Sequence, residues 1–279
     1  VPLVATGELV DAARASGGAV LAFNVITLEH AEAIALAAER TSRPAILQIS
    51  HNAVRYHGSL GPVAAAARAV ALASTARLAL HLDHVEDADL LHQAPEAGFS
   101  SAMFDAGALP YAENVAATRE ASAWAHQYEL WLEAELGYVG GKPDAPASAH
   151  AAGVRTDPDE AAEYVRRTGV DALAVAVGSS HAMTTRTATL DHELITKLRE
   201  AVPVPLVLHG SSGVPDNELR AAIAAGIVKI NIGTALNIAF TGGVRDALDE
   251  SVDPRRYLRA ARSATADAVA RLLSEFATP

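Results

Sequence analysis

From Val20 onward, short runs of β-branched and aliphatic residues alternate with Ala-rich amphipathic stretches, and this regular swap of a two-residue for a 3.6-residue period constrains the fold more than any other feature. Eight runs read as strands: Val20 to Val25, Ala45 to Ser50, Leu78 to Asp83, Ser101 to Asp105, Leu130 to Leu136, Ala172 to Gly178, Pro205 to His209 and Ile227 to Ile232. Between and after them, helical patterns cover Leu28 to Thr41, Pro62 to Ser74, Asp87 to Ala97, Pro110 to Tyr128, Pro158 to Arg167, His192 to Ala201, Pro215 to Ala225 and Ala235 to Glu250. Helix-start chemistry opens some of these, as in Thr156-Asp157-Pro158, and Gly98, Gly169 and Gly226 close others. Eight strand-then-helix units in 279 residues, with no Pro/Ser-rich linker, predict one (β/α)8 barrel domain over residues 1–279 rather than an open doubly wound sheet. Two further helices are expected, Gly7 to Ala15 at the front and Pro254 to Phe276 at the back. The long irregular stretch from Gly137 to Arg155 has the length of a functional loop.

Such barrels place their chemistry at the carboxyl ends of the strands. Those ends are polar here: Ser50-His51-Asn52, Asp83-His84, Asp105, Glu133 with Glu135, Ser179-Ser180-His181, the turn His209 to Gly213, and the turn Asn231 to Thr234. The chain has no cysteine, so any metal site must be built from His, Asp and Glu. A lone strand-end His is more often a hydrogen-bonded structural residue than a ligand. Three of them at one mouth, His84, His181 and His209, make the pattern of a catalytic zinc site with an open position. Asp83 reads either as a carboxylate that orients a ligand or as a general acid/base beside a metal-bound substrate.

His81 shares a strand face with Asp83 and is expected to pack below the site. His30, His92, His126 and His192 fall on helix patterns, where a solvated or partly buried face is the simpler reading. His51 and His57 are placed in a loop after the second strand, and His150 in the long loop. The Gly/Ser-rich turns after strands seven and eight occupy the position where many barrels bind phosphate through backbone N–H groups. A formal net charge of −11 argues against nucleic-acid and anionic-membrane partners. With no basic leader and no long uncharged apolar run, the expectation is a cytoplasmic enzyme.

Taken together, LAFNV (21–25), LHLDH (80–84), AENV (112–115), EAELG (133–137), the Gly140-Gly141 pair, TGVDALAVAVGSSH (168–181), PLVLHGSSGV (205–214), KINIGT (229–234) and DPRRYL (253–258) resemble the class II, zinc-dependent ketose-bisphosphate aldolase family over nearly the whole chain. The resemblance implies one zinc ion per chain on His84, His181 and His209, with a monovalent cation as a further candidate, and Asp83 as the acid/base at the C4 hydroxyl. It implies supporting or alternative metal contacts from Asp105 and Glu135. Substrate contacts are implied at Ser50, Ala182, Gly210, Ser211, Ser212, Asn231, Ile232, Gly233 and Thr234, and at Arg255 for the distal phosphate of a neighbouring subunit. The implied reaction is cleavage or formation of a ketose (bis)phosphate through a dihydroxyacetone phosphate enediolate, in a homo-oligomer, dimer or tetramer.

Relatives commonly carry a loop Glu two residues beyond the Gly-Gly pair. Here Lys142-Pro143-Asp144 follows it, which makes Asp144 the nearest catalytic carboxylate and His150 the nearest imidazole. Ala182, Ala106 and Gly233 also depart from the usual family residues, and Gly233 leans away from fructose 1,6-bisphosphate as the best substrate. Rival readings are an aldolase of a specialised pathway with a different aldehyde partner, a zinc hydrolase or isomerase, and a catalytically weak metal- and sugar-phosphate-binding barrel.

Overall fold

Each strand pairs in parallel with its successor in sequence and the eighth returns to the first, so the sheet closes into a barrel. The computed structural model describes residues 3–137, 155–181, 183–248 and 252–278. The strands are β1 (Val20–Asn24), β2 (Ala45–Ser50), β3 (Leu78–Val85), β4 (Ser101–Phe104), β5 (Trp131–Leu136), β6 (Ala172–Val175), β7 (Leu206–Leu208) and β8 (Ile227–Ile232). Around and ahead of them lie α1 (Thr6–Ala15), α2 (Leu28–Thr41), α3 (His51–His57), α4 (Leu60–Ala73), α5 (Ala88–Leu91), α6 (Tyr111–Gln127), α7 (Pro158–Thr168), α8 (His192–Ala201), α9 (Asp216–Ala225), α10 (Thr234–Ala247) and α11 (Pro254–Phe276). The chain is therefore a (β/α)8 barrel with an added helix at each end. No helix among the described residues is long and apolar enough to cross a membrane.

Apolar residues on the outer strand faces pack against the surrounding helices in one continuous core. Inside the barrel, Leu9, Val10 and Ala13 of α1 pack with Val20, Ala22, Ile46, Ala79 and Val228, closing the end opposite the strand carboxyl termini. Above this plug the filling turns polar. Thr6, Ser101 and His81 form a buried chain, with Ser101 Oγ donating to Thr6 Oγ1 at 2.6 Å and lying 2.8 Å from His81 Nδ1. The barrel interior thus grades from apolar below to ionisable at the mouth.

Three local departures from the sequence pattern have physical causes. The segment with His51 and His57 is a helix, not a loop: the Ser50 side chain accepts from the Ala53 N–H at 3.2 Å, and Gly58 ends it in the left-handed region. The expected helix from Asp87 to Ala97 stops as α5 at Leu91, because Pro95 has no N–H to donate and turns its predecessor away from helix. Strand β6 ends at Val175, before Gly178, since both backbone groups of Ala176 are taken by Thr156.

His30 near the start of α2 is the helix histidine whose solvated reading fails: it is buried and stacks on Phe240, ring centroids 4.6 Å apart. Its Nδ1 accepts the Thr27 N–H at 3.4 Å, which requires that nitrogen to be unprotonated. Burial, opposed by nearby Glu29, pulls its pKa down to about 4. Below pH 6.5 the unfolded chain takes up a proton that the folded chain refuses, so stability is lost as pH falls from 6.5 toward 4, by up to about 3 kcal/mol. His30→Gln keeps an acceptor but cannot titrate. Denaturant midpoints of parent and variant should diverge with acidification across that window; parallel curves would show that His30 is not responsible.

Candidate active site

The mouth is assembled from side chains on separate strands, and its geometry starts with an irregularity in β3. Pairing between β3 and β4 shifts register between Leu82 and Val85, and His84 adopts φ 50°, the left-handed region that non-glycine residues enter rarely. In a regular strand Asp83 and His84 would point to opposite faces. The irregularity lets both line the cavity.

His84 Nδ1 lies 2.9 Å from Asp105 Oδ2, beyond the end of β4. Asp105 also accepts the Gly107 N–H at 3.0 Å, which fixes its carboxylate. His209, just past β7 and fully buried, sets Nε2 against Glu133 Oε1 at 2.8 Å. Its Nδ1 has no hydrogen-bond partner among the described residues, although Glu135 Oε2 is 3.0 Å away. The His84 ring centroid is 4.9 Å from that of His209 and 5.4 Å from that of His181, so the three imidazoles converge. One donor atom from each of His84, Glu135, His181 and His209 lies within 4.8 Å of the others. Three imidazoles and a carboxylate so close together, with the His209 Nδ1 buried and not hydrogen-bonded among the described residues, suit a tetrahedral divalent ion such as zinc.

Glu133 is the hinge of a buried charge network that the strand-end reading left without a role. Its Oε2 accepts from Lys229 Nζ at 2.8 Å, and Lys229 also donates to Asn231 Oδ1 at 2.7 Å; Glu133 and Lys229 are both fully buried. The sequence signal was the lone charge in the strand IVKINI. Burial opposes the Glu133 carboxylate, but the Lys229 charge and the His209 hydrogen bond outweigh it and hold its pKa far below the usual range. Burial likewise opposes a charged His209, yet the hydrogen bond to Glu133 and the adjacent Glu135 carboxylate push it up to about 9. For His84, burial is outweighed by the Asp83 charge and the Asp105 bond, which raise its pKa. Metal binding at such imidazoles would release protons. His81 is pushed well down by burial and by the Lys229 charge, in keeping with a packing position below the mouth.

Asp83 is almost fully buried at the cavity floor. Gln48 Nε2 donates to its Oδ2 at 3.0 Å and to Asn24 Oδ1 at 2.9 Å, while Asn231 Nδ2 stands 3.5 Å from Oδ1. Gln48 and Asn24 are thus further members of the site, and the sequence pattern did not mark them. They occupy paired positions on neighbouring strands.

On the opposite side, Gly210 turns the chain with φ 65°, and an added Cβ there would stand 2.7 Å from the Ser180 backbone. A short 3-10 turn, Ser211–Gly213, follows. Ser211 Oγ donates to the Asn231 carbonyl at 2.5 Å, and Ser212 Oγ accepts the Ala235 N–H at 3.1 Å. The turn is thereby tied to the N-terminus of α10, where Gly233 and Thr234 leave backbone N–H groups at the positive end of the helix dipole.

Of the expected contacts, Ser50, Gly210, Ser211, Ser212, Asn231, Gly233 and Thr234 line one cavity of about 1010 Å3 with Asp83, His84, Asp105, Glu135 and His181. The Ile232 side chain belongs to the core instead, so only its backbone can serve a ligand. Arg255 does not line this cavity in its own chain and is held by Asp253 at 2.7 Å. Ala182, Asp144 and His150 lie outside the described residues.

The family model for class II fructose-bisphosphate aldolase matches residues 4–278. Among solved structures, the YdjI aldolase from Escherichia coli K12 is 32% identical, with a TM-score of 0.84 over 98% of this chain and 97% of that one. A Coccidioides immitis protein provisionally named a fructose-1,6-bisphosphate aldolase is 30% identical, with a TM-score of 0.87 over 97% and 95% of the two chains. The fructose-bisphosphate aldolase of Campylobacter jejuni shares the fold at 22% identity, with a TM-score of 0.80 over 98% and 95%. With a family match spanning almost the entire chain, this protein belongs to the class II fructose-bisphosphate aldolase family.

Proposed function

We propose that the protein is a zinc-dependent aldolase that cleaves a ketose phosphate between C3 and C4, or forms that bond in reverse, with dihydroxyacetone phosphate as the three-carbon partner. The observation that carries this reading is the meeting at one mouth of the four-donor cluster, the buried Asp83 carboxylate and the two Gly/Ser turns. His84, His181 and His209 would hold the ion, with Glu135 as a fourth or exchangeable donor. Zinc, when bound, supplies a Lewis acid for the substrate ketone.

The protein's own groups do the rest. Asp83 takes the proton of the C4 hydroxyl as the C3–C4 bond breaks and the aldehyde departs, and returns it in synthesis. The amides at the α10 N-terminus, with Ser212 and Asn231, hold the phosphate of the three-carbon half. Asp144 is our candidate for moving the proton at C3 of that half, with His150 as the alternative. Exchange of the C3 proton of dihydroxyacetone phosphate with solvent deuterium should slow in one of Asp144→Ala and His150→Ala. Unchanged exchange in both would turn attention to Glu135.

A coupled assay on ketose 1-phosphates, bisphosphates and the free sugars, with and without chelator, tests the reading. Phosphorylated substrates should turn over and free sugars should not, and chelation should abolish turnover. Equal rates on free and phosphorylated sugars would remove the phosphate site. His181→Ala should fold and hold less than one tightly bound ion per chain, as measured by elemental analysis; full occupancy would rule out His181 as a ligand.

A further inference from the structure

Closure in the order β1 to β8 sets β3 across the barrel from β7, so the turn after β7 faces the segment that follows β3. Glu86 belongs to that facing segment, and α3, which follows the neighbouring β2, packs beside it: Ser50, His51, Asn52, Arg55 and Glu86 all line the cavity. Arg55 is the one Lys or Arg among the described lining residues. If the phosphate of the three-carbon half sits at the β7–β8 turns and the reacting carbons lie over the imidazole cluster, the aldehyde half extends toward Glu86 and the adjoining Arg55.

The wall is firmly built. Ser50 caps α3 through the Ala53 N–H, and the largely buried His51 ring accepts the Glu86 N–H at 3.3 Å on Nδ1. Asp87 stands 3.6 Å from His51 Nε2. Arg55 itself is held loosely. Its Nη2 donates to Glu86 Oε2 at 2.7 Å and its Nη1 to Asn52 Oδ1 at 3.3 Å, but the Arg55 and Glu86 side chains are both about half exposed. An exposed pair of this kind is weak. A ligand anion that meets the planar guanidinium with two oxygens can displace it.

We propose that Arg55 determines specificity at the far end of the substrate, by recognising a terminal anionic group, a carboxylate or a phosphate monoester, on the aldehyde half. This rests on the aldolase reading above. Glu86 parks the guanidinium when no ligand is present and repels an anion that arrives without displacing it, so the pair sets a threshold for the incoming group.

The test uses the metal-loaded protein and three ketose 1-phosphates of one configuration, ending in a hydroxymethyl group, a carboxylate or a phosphate. The parent should prefer at least one anionic end in kcat/KM. In Arg55→Gln that preference, expressed as the anionic-to-neutral ratio, should fall roughly ten- to a hundred-fold, the scale of a charged hydrogen bond. Arg55→Lys should retain part of it, and Glu86→Gln should raise it by removing the competing carboxylate. The carboxylate and phosphate arms identify which group is read. No anionic preference in the parent, or a preference that survives in Arg55→Gln, overturns the proposal. Should the parent cleave none of the three, the aldolase reading fails separately, and equilibrium binding of the same compounds decides on Arg55. An anionic end that tightens binding in the parent but not in Arg55→Gln supports it, and equal effects in both overturn it.

Discussion

Replacing Asp83 with Ala should leave a folded, metal-binding protein whose carbon–carbon step is slowed by about 10²-fold or more, the usual scale for losing a general acid or base. The residue is anchored for such a role. Gln48 fixes one carboxylate oxygen at 3.0 Å, and the other faces Asn231 at 3.5 Å on the cavity side of β8. Asp83→Asn sharpens the test, because an amide oxygen can still accept from Gln48 while the proton-transfer group is gone. If either variant retains parental turnover with full metal content, Asp83 only orients its neighbours. If Asp83→Ala loses metal as well, its contribution to the cluster and to chemistry must be separated by the Asn variant.

Lys229→Met should destabilise the protein by about 3–5 kcal/mol, because it leaves the Glu133 carboxylate buried without its cationic partner. The folded-state pKa of Glu133 is depressed, so with Lys229 present this carboxylate contributes stability above its unfolded value and loses it as pH falls through the folded one. Without Lys229 the folded pKa rises, and acid lets the carboxyl group neutralise instead of remaining as an unpaired charge. The deficit, read from denaturant unfolding, should therefore be larger at pH 7 than near pH 4.5. A loss below about 1 kcal/mol at pH 7 would show that His209 alone satisfies Glu133.

The barrel was legible in the sequence because its elements carry their own periodicity. Strands β2 and β8 and helices α2, α8 and α11 begin and end where the pattern places them. Helix α3 was hidden for the opposite reason. HNAVRYH is too short to show an apolar period, and the Ser50 that caps it reads equally well as a substrate contact. The gathering of His84, His181 and His209 follows from their strand-end positions, whereas the left-handed turn at His84 does not. That turn depends on pairing with β4, a tertiary influence absent from local spacing. Gln48 was obscured by its strand, whose remaining residues are mostly aliphatic. Lys229 was the opposite case, a visible charge in a buried run whose partner could be found only by closing the sheet.

That closure also governs how the protein must fold. Lys229 pairs in register with Val20, so the strand that supplies the buried cation is the one that seals the barrel against its first strand. The seam is reinforced by α11, where Arg262 reaches Glu32 and Arg40 reaches Asp267 across most of the chain length. Contacts so distant in sequence bear the largest loop-closure entropy and tend to form late. A chain with seven strands in place could already bring together the donors on β3 and β5 and those that follow β6 and β7, yet it would lack the ammonium that steadies Glu133 and, through it, His209. Recovery of activity during refolding would then report on sealing of the seam, lagging behind the appearance of secondary structure.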